Sequence, residues 1–100
     1  MYGTIARFRL KSGMEAKLKE LEHEFNTTPI AGYVVTYVYR MDADPNEYYM
    51  ATVFTSKEAY QVNAGSAEQD TRYRKLRELL AADPEWHDGE IVSMSGPGNG

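Results

Sequence analysis

One hundred residues with 11 basic and 15 acidic side chains (net charge −4) suffice for one domain, but lack the basic stripe that nucleic-acid binding needs. The absence of cysteine excludes disulfides and thiolate metal sites, and fits a reducing cytoplasm, where the protein is expected to reside. No stretch approaches an apolar membrane span, and Met1-Tyr-Gly-Thr-Ile-Ala-Arg7 lacks the apolar run of a secretory leader, so no membrane association is expected.

In chain order, residues 2–10 alternate, with Tyr2, Thr4, Ala6, Phe8 and Leu10 opposed to Gly3, Ile5, Arg7 and Arg9, which predicts a strand. Ser12-Gly-Met-Glu15 reads as a capping box, with Ser12 as N-cap. Met14, Leu18, Leu21 and Phe25 follow at helical spacing, and that helix ends near Asn26-Thr-Thr-Pro29. Residues 33–40 and 47–54 predict two strands joined by the turn-rich segment Asp42-Ala-Asp-Pro-Asn46. Thr55-Ser-Lys-Glu58 reads as a second capping box, opening a short helix to about Asn63. Ser66-Ala-Glu-Gln69 reads as a third. The helix it starts carries Tyr73, Leu76, Leu79 and Leu80 and stops at Asp83-Pro84. Within it Arg72, Arg74, Lys75 and Arg77 interleave with Glu68, Asp70 and Glu78, the pattern of a solvated face. Residues 86–94 predict a last strand, closing a single domain over 1–94, with 95–100 a flexible tail.

This order is βαββαβ, a ferredoxin-like α+β fold with a four-stranded antiparallel sheet and helices on one face. A sheet with one wet face alternates apolar with polar residues, and the central strands do not. Tyr33, Val35, Tyr37 and Tyr39 point one way, and Val34, Thr36 and Val38 the other. In the next strand Tyr49, Ala51 and Val53 oppose Tyr48, Met50 and Phe54. Both faces look covered, and a second copy packed sheet against sheet is the simplest cover. A homodimer is therefore expected.

The segment Val53-Phe-Thr-Ser-Lys-Glu-Ala-Tyr60, with Gln-Val-Asn-Ala-Gly65 after it, resembles the antibiotic biosynthesis monooxygenase family. Lys11-Ser-Gly-Met-Glu15 and the Gly32-Tyr-Val strand start extend the likeness over most of the chain. The resemblance implies a dimeric α+β barrel, with a pocket inside each subunit between its sheet and its helices. It further implies oxidation of a small hydroxylated aromatic, quinol or polyketide by O₂ with no cofactor and no metal, as in the actinorhodin-pathway branch. The pocket tyrosine of that branch falls on Tyr60 and its arginine on Arg74. Its tryptophan and asparagine are replaced by Phe54 and Met50. The haem-degrading branch fits poorly, because the places of its asparagine, tryptophan and axial histidine hold Ala6, Asn63 and Tyr73.

Tyr60 and Arg74 are thus the candidate catalytic residues, with Arg74 as the cation for a substrate anion and Tyr60 as a hydrogen-bond donor to it. Met50, Phe54, Tyr37, Asn63 and Tyr73 are the candidate substrate contacts, with Tyr39 a possible assistant. Plain structural readings stand beside these. Arg74 is also placed to pair with Asp70 or Glu78 at i, i+4 spacing, Tyr60 to be a core aromatic, and Trp86 to pack the dimer. Another enzyme of the same barrel, isomerase-like, or a non-catalytic dimer holding an apolar molecule, are the alternative functions.

Overall fold

The computed structural model describes residues 1–97 and contains seven elements. They are β1 (Tyr2–Arg9), α1 (Glu15–Thr27), β2 (Tyr33–Arg40), β3 (Glu47–Phe54), α2 (Lys57–Ala64), α3 (Ala67–Glu78) and β4 (Glu85–Glu90). The strands form one antiparallel sheet in the order β2-β3-β1-β4, as the ferredoxin-like reading requires. The helices lie over the face that presents Thr4, Ala6 and Phe8, all buried. Phe8, Leu10, Leu18, Leu21, Tyr48, Leu76, Leu79 and Leu80 make the core. Within it the Phe8 and Tyr48 rings, opposite each other across β1 and β3, stack with centroids 5.4 Å apart. Among the described residues no helix is long and apolar enough to cross a membrane.

Local chemistry decides the element ends. Ser66 caps α3 as expected, its hydroxyl accepting from the Gln69 amide at 3.1 Å. The cap of α2 is Ser56, one residue past the expected Thr55, and accepts from the Ala59 amide. The expected Ser12 cap does not form. Gly13 adopts φ +81°, which no first helical residue can have, so α1 begins after Met14 with no side-chain cap. The last strand ends at Glu90 instead of Met94. It pairs only with β1, whose far end is reached when the Ile91 amide bonds to the Met1 carbonyl at 2.9 Å. Of the tail expected over 95–100, residues 98–100 lie outside the described residues.

One departure reorients a side chain. A β-bulge between Tyr33 and Val35 lets Tyr33 oppose Phe54 while Val35 opposes Val53. Tyr33 therefore shares the helix-side face with Thr36 and Val38, not the outer face with Tyr37 and Tyr39. Just before it, Gly32 takes φ +76°, and a Cβ there would meet the Ala59 side chain of α2 at 2.5 Å.

The outer face carries Ile5, Val35, Tyr37, Tyr39, Tyr49 and Val53, largely exposed in the single chain. Its charges are paired within the chain, since Arg7 bridges Glu47 on β3 and Glu85 on β4.

Leu80 is fully buried and ties the α3 end to Leu10 by an isolated bridge. Leu80→Ala is expected to lower the unfolding free energy by roughly 3 kcal/mol, measured by urea denaturation.

Candidate functional site

Between the sheet and all three helices lies a cavity of about 340 Å³. That volume suits a small planar molecule, near the lower end of ordinary ligand pockets. Its aromatic wall is built by packing. The Phe54 ring is met edge-on by Tyr33 and by Tyr60, each with centroids 5.6 Å away, and Tyr73 leans on Trp86 at 6.1 Å.

The floor is crossed by a polar row. Register places Thr36 opposite Thr52, Thr52 opposite Thr4, and Thr4 opposite Asp88, so one residue from each strand contributes. Tyr33 donates to the Thr36 hydroxyl at 2.6 Å, and Thr36 shares a hydrogen bond with Thr52 at 3.1 Å. At the other end the Tyr60 hydroxyl donates to Asp88 Oδ1 at 2.9 Å. Thr4 stands between these bonds, 6% exposed, and its hydroxyl has no well-formed hydrogen bond. It is the buried side-chain polar atom without a partner among the described residues.

The Tyr60 phenol is pushed up to about 12, by burial first and then by the hydrogen bond to Asp88 and that carboxylate's charge. The nearby Thr4 hydroxyl works weakly the other way. At neutral pH Tyr60 is therefore a phenol, and its one proton is committed to Asp88.

Arg72 supplies the cavity's cation. Its Nη2 donates to Asn63 Oδ1 at 3.0 Å and its Nε to Gln69 Oε1 at 3.1 Å, with the guanidinium carbon 5.9 Å from the centre of the Phe25 ring. Asn63 in turn donates to Gln69 at 3.3 Å, closing the triad. Among the described residues no carboxylate pairs with Arg72, so its charge is held in place by neutral amides and is not neutralised.

Of the residues expected at the site, Tyr60, Met50, Phe54, Asn63 and Tyr73 line this cavity. Arg74 does not. Its side chain is 77% exposed and pairs with Asp70 at 2.9 Å, the i, i+4 arrangement. Tyr37 does not either, because it lies on the outer face, 57% exposed. Tyr39 lies there with it. Trp86 lines the cavity.

Arg72, Thr4, Asp88 and Gln69 were not among the expected residues. For Arg72 a signal existed: Gln69, Arg72, Tyr73 and Leu76 fall at i, i+3, i+4 and i+7, one helix face, which Arg74 does not share. For Thr4 and Asp88 there was none, since their meeting depends on strand register. Among the described residues no cluster of three or more His, Asp or Glu could hold a metal ion.

The profile of the antibiotic biosynthesis monooxygenase family matches residues 1–75. The chain belongs to this family. The match covers Tyr60 and Arg72, while Trp86 and Asp88 lie beyond it. Among curated proteins none is similar enough to count as a relative. Solved structures share the family fold. SnoaB from Streptomyces nogalater, described as a cofactor-independent oxygenase, superposes with a TM-score of 0.74 at 18% identity, covering 93% of this chain and 94% of its own. Rv0793 from Mycobacterium tuberculosis gives 0.74 at 18% identity, covering 95% and 98%. At such identities the likeness establishes the fold alone.

Because its folded value is raised, Tyr60 contributes stability that is fully present below the ordinary tyrosine value near 10 and is lost as pH rises through about 12. Ultraviolet titration should show a phenol ionising near 12 that is missing in Tyr60→Phe. Asp88→Asn should lower that transition without returning it to 10, because burial remains.

Proposed function

We propose that the protein is a cofactor-independent monooxygenase that oxidises a small hydroxylated aromatic, quinol or anthrone-like polyketide with O₂, and that it acts as a homodimer. The observation that carries this reading is the Arg72 guanidinium, half-buried on the wall of an aromatic-lined cavity with no carboxylate to neutralise it. An acidic aromatic ionises to a delocalised anion, and such anions give an electron to O₂ without a cofactor. A fixed cation in a site of reduced dielectric favours that anion more than water does. The two radicals then combine as a peroxide, which loses water. Over the whole reaction an anthrone methylene loses both hydrogens, one oxygen atom stays as a carbonyl and the other leaves as water.

The remaining groups suit this chemistry. Phe54 and Tyr60 offer ring edges and faces to a flat substrate. Met50 and Tyr73 extend the apolar wall, and Asn63 and Gln69 hold Arg72 in position. Family membership supports the reaction class, as does the description of SnoaB as a cofactor-independent oxygenase. The outer face supports the dimer: it is apolar and rich in tyrosine, and its Arg7 is already paired within the chain with Glu47 and Glu85.

Oxygen uptake with anthrone tests the assignment. Arg72→Gln should lower kcat/KM on the order of 100-fold, and Arg74→Gln should stay within about twofold of wild type. Loss in Arg74→Gln with Arg72→Gln unaffected would move the role to Arg74. Sedimentation tests the assembly: wild type should run at twice the 11.4 kDa chain mass, and Tyr37→Glu at the chain mass itself.

A further inference from the structure

We propose that Asp88 is the proton acceptor for this site, acting through Tyr60: the tyrosine oxygen takes the acidic proton of the bound molecule while passing its own proton to Asp88. This rests on the oxygenation reading for the choice of ligand, an aromatic carbon acid, and not for the proton path itself.

The cavity lacks any other base. Among the described residues no histidine, glutamate or lysine lines it, and its one carboxylate, Asp70, is engaged with Arg74. Tyr60 is the lining residue with a carboxylate behind it, at 2.9 Å, with the phenol as donor. Asp88 lies on the edge strand β4 and is exposed, so a proton delivered there exchanges with water and the site is reset. A direct attack by Asp88 is unnecessary, because one phenol bridges the cavity to the solvent side.

Thr4 is the second, independent observation. It sits next to Asp88 in register, lines the cavity, and keeps a buried hydroxyl without a well-formed hydrogen bond, near enough to the Tyr60 phenol to act on it. A buried hydroxyl left unpaired costs free energy, and its natural use is to donate to an oxygen that becomes more negative during reaction. The neighbouring Tyr60 oxygen is that atom. Catalytic hydrogen bonds are commonly loose in the unliganded state and tighten as charge develops. The elevated Tyr60 phenol fits a concerted transfer, since a free tyrosinate never has to accumulate.

The step balances without a redox change. The methylene C–H bond of an anthrone breaks, and its proton forms a new O–H bond at Tyr60. The former Tyr60 O–H bond breaks, and that proton joins Asp88 Oδ1. The electron pair of the C–H bond spreads onto the ring carbonyl oxygen, where Arg72 balances the charge. Tyr60 begins and ends as a phenol.

Anaerobic exchange of the anthrone methylene hydrogens for deuterium, followed by NMR in D₂O, isolates this step from oxygen chemistry. Wild type should accelerate exchange over buffer. Asp88→Asn, which keeps an oxygen to accept from Tyr60, should slow it on the order of 100-fold, as should Tyr60→Phe. The double variant should be no slower than the slower single, because the two act as one unit. The rate should fall linearly with the deuterium fraction, because the Tyr60 proton is the one drawn from solvent, and this dependence should vanish in Asp88→Asn. Binding of 9,10-anthraquinone, which has no methylene hydrogen, should change by less than about threefold, read from the single tryptophan, Trp86, in the cavity wall. Exchange at the wild-type rate in Asp88→Asn would overturn the proposal, as would a wild-type rate independent of the deuterium fraction or no wild-type acceleration. Exchange under argon without oxygen uptake in air would leave the proton path standing and refute the oxygenation.

Discussion

The close approach of β1 to β3 at Gly3 is the constraint on which the cavity floor depends. A Cβ at Gly3 would lie 1.9 Å from the Thr52 carbonyl oxygen, backbone that cannot move without breaking the ladder. Glycine there lets the two strands meet in register from Tyr2 opposite Phe54 to Arg9 opposite Glu47. The same strand, β1, pairs with β4 on its other side, so its register transmits to Asp88. Thr36, Thr52, Thr4 and Asp88 align as one row only because both pairings hold together. A side chain at position 3 would thus act on the site without touching it.

Charge placement follows a similar economy. Most of the arginines are used in ion pairs: Arg7 with Glu47 and Glu85, Arg9 with Asp44, Arg74 with Asp70, and Arg77 with Asp83. Those pairs are solvated and contribute little individually. Arg72 departs from the pattern, with amide oxygens as acceptors and an aromatic ring beside it. Neutral partners orient a guanidinium without cancelling its field. Its charge is therefore available to an anion in the cavity, at the cost of partial burial without a counter-ion.

The fold was legible in the sequence because its signals are local. Runs of β-branched and aromatic residues bounded by turn residues marked the strands at 33–40 and 47–54 to the residue, and the Ser66 cap marked the start of α3. Signals that depend on a conformational choice misled. Ser12 and Glu15 have capping-box spacing, yet a left-handed Gly13 lies between them. At the site, strand period and the resemblance placed Met50, Phe54, Tyr60, Asn63 and Tyr73 on the cavity. Arg74 and Tyr37 were misplaced for different reasons. Three arginines within six residues of one helix look alike until the face shared with Leu76 is worked out, which selects Arg72. Tyr37 lies two residues from Tyr39 in a strand apolar on both sides, so alternation could not say which side meets the helices. Thr4 and Asp88, 84 positions apart, are brought together by β-pairing alone.

The bulge at Val34 has a further consequence for how such a domain can change. Strand periodicity is two, so one extra residue inverts the facing of everything before it while leaving everything after it in phase. Tyr33 belongs to the cavity wall by virtue of that bulge. Were Val34 drawn into regular alternation instead, the Tyr33 phenol would turn outward and lose its hydrogen bond to Thr36, with Tyr37 and Tyr39 still on the outer face. A change that flattens one bulge can therefore move an aromatic side chain from the cavity wall to the outer face of the sheet. Within the family fold, chamber shape and surface character can drift in single steps that leave the hydrophobic core intact.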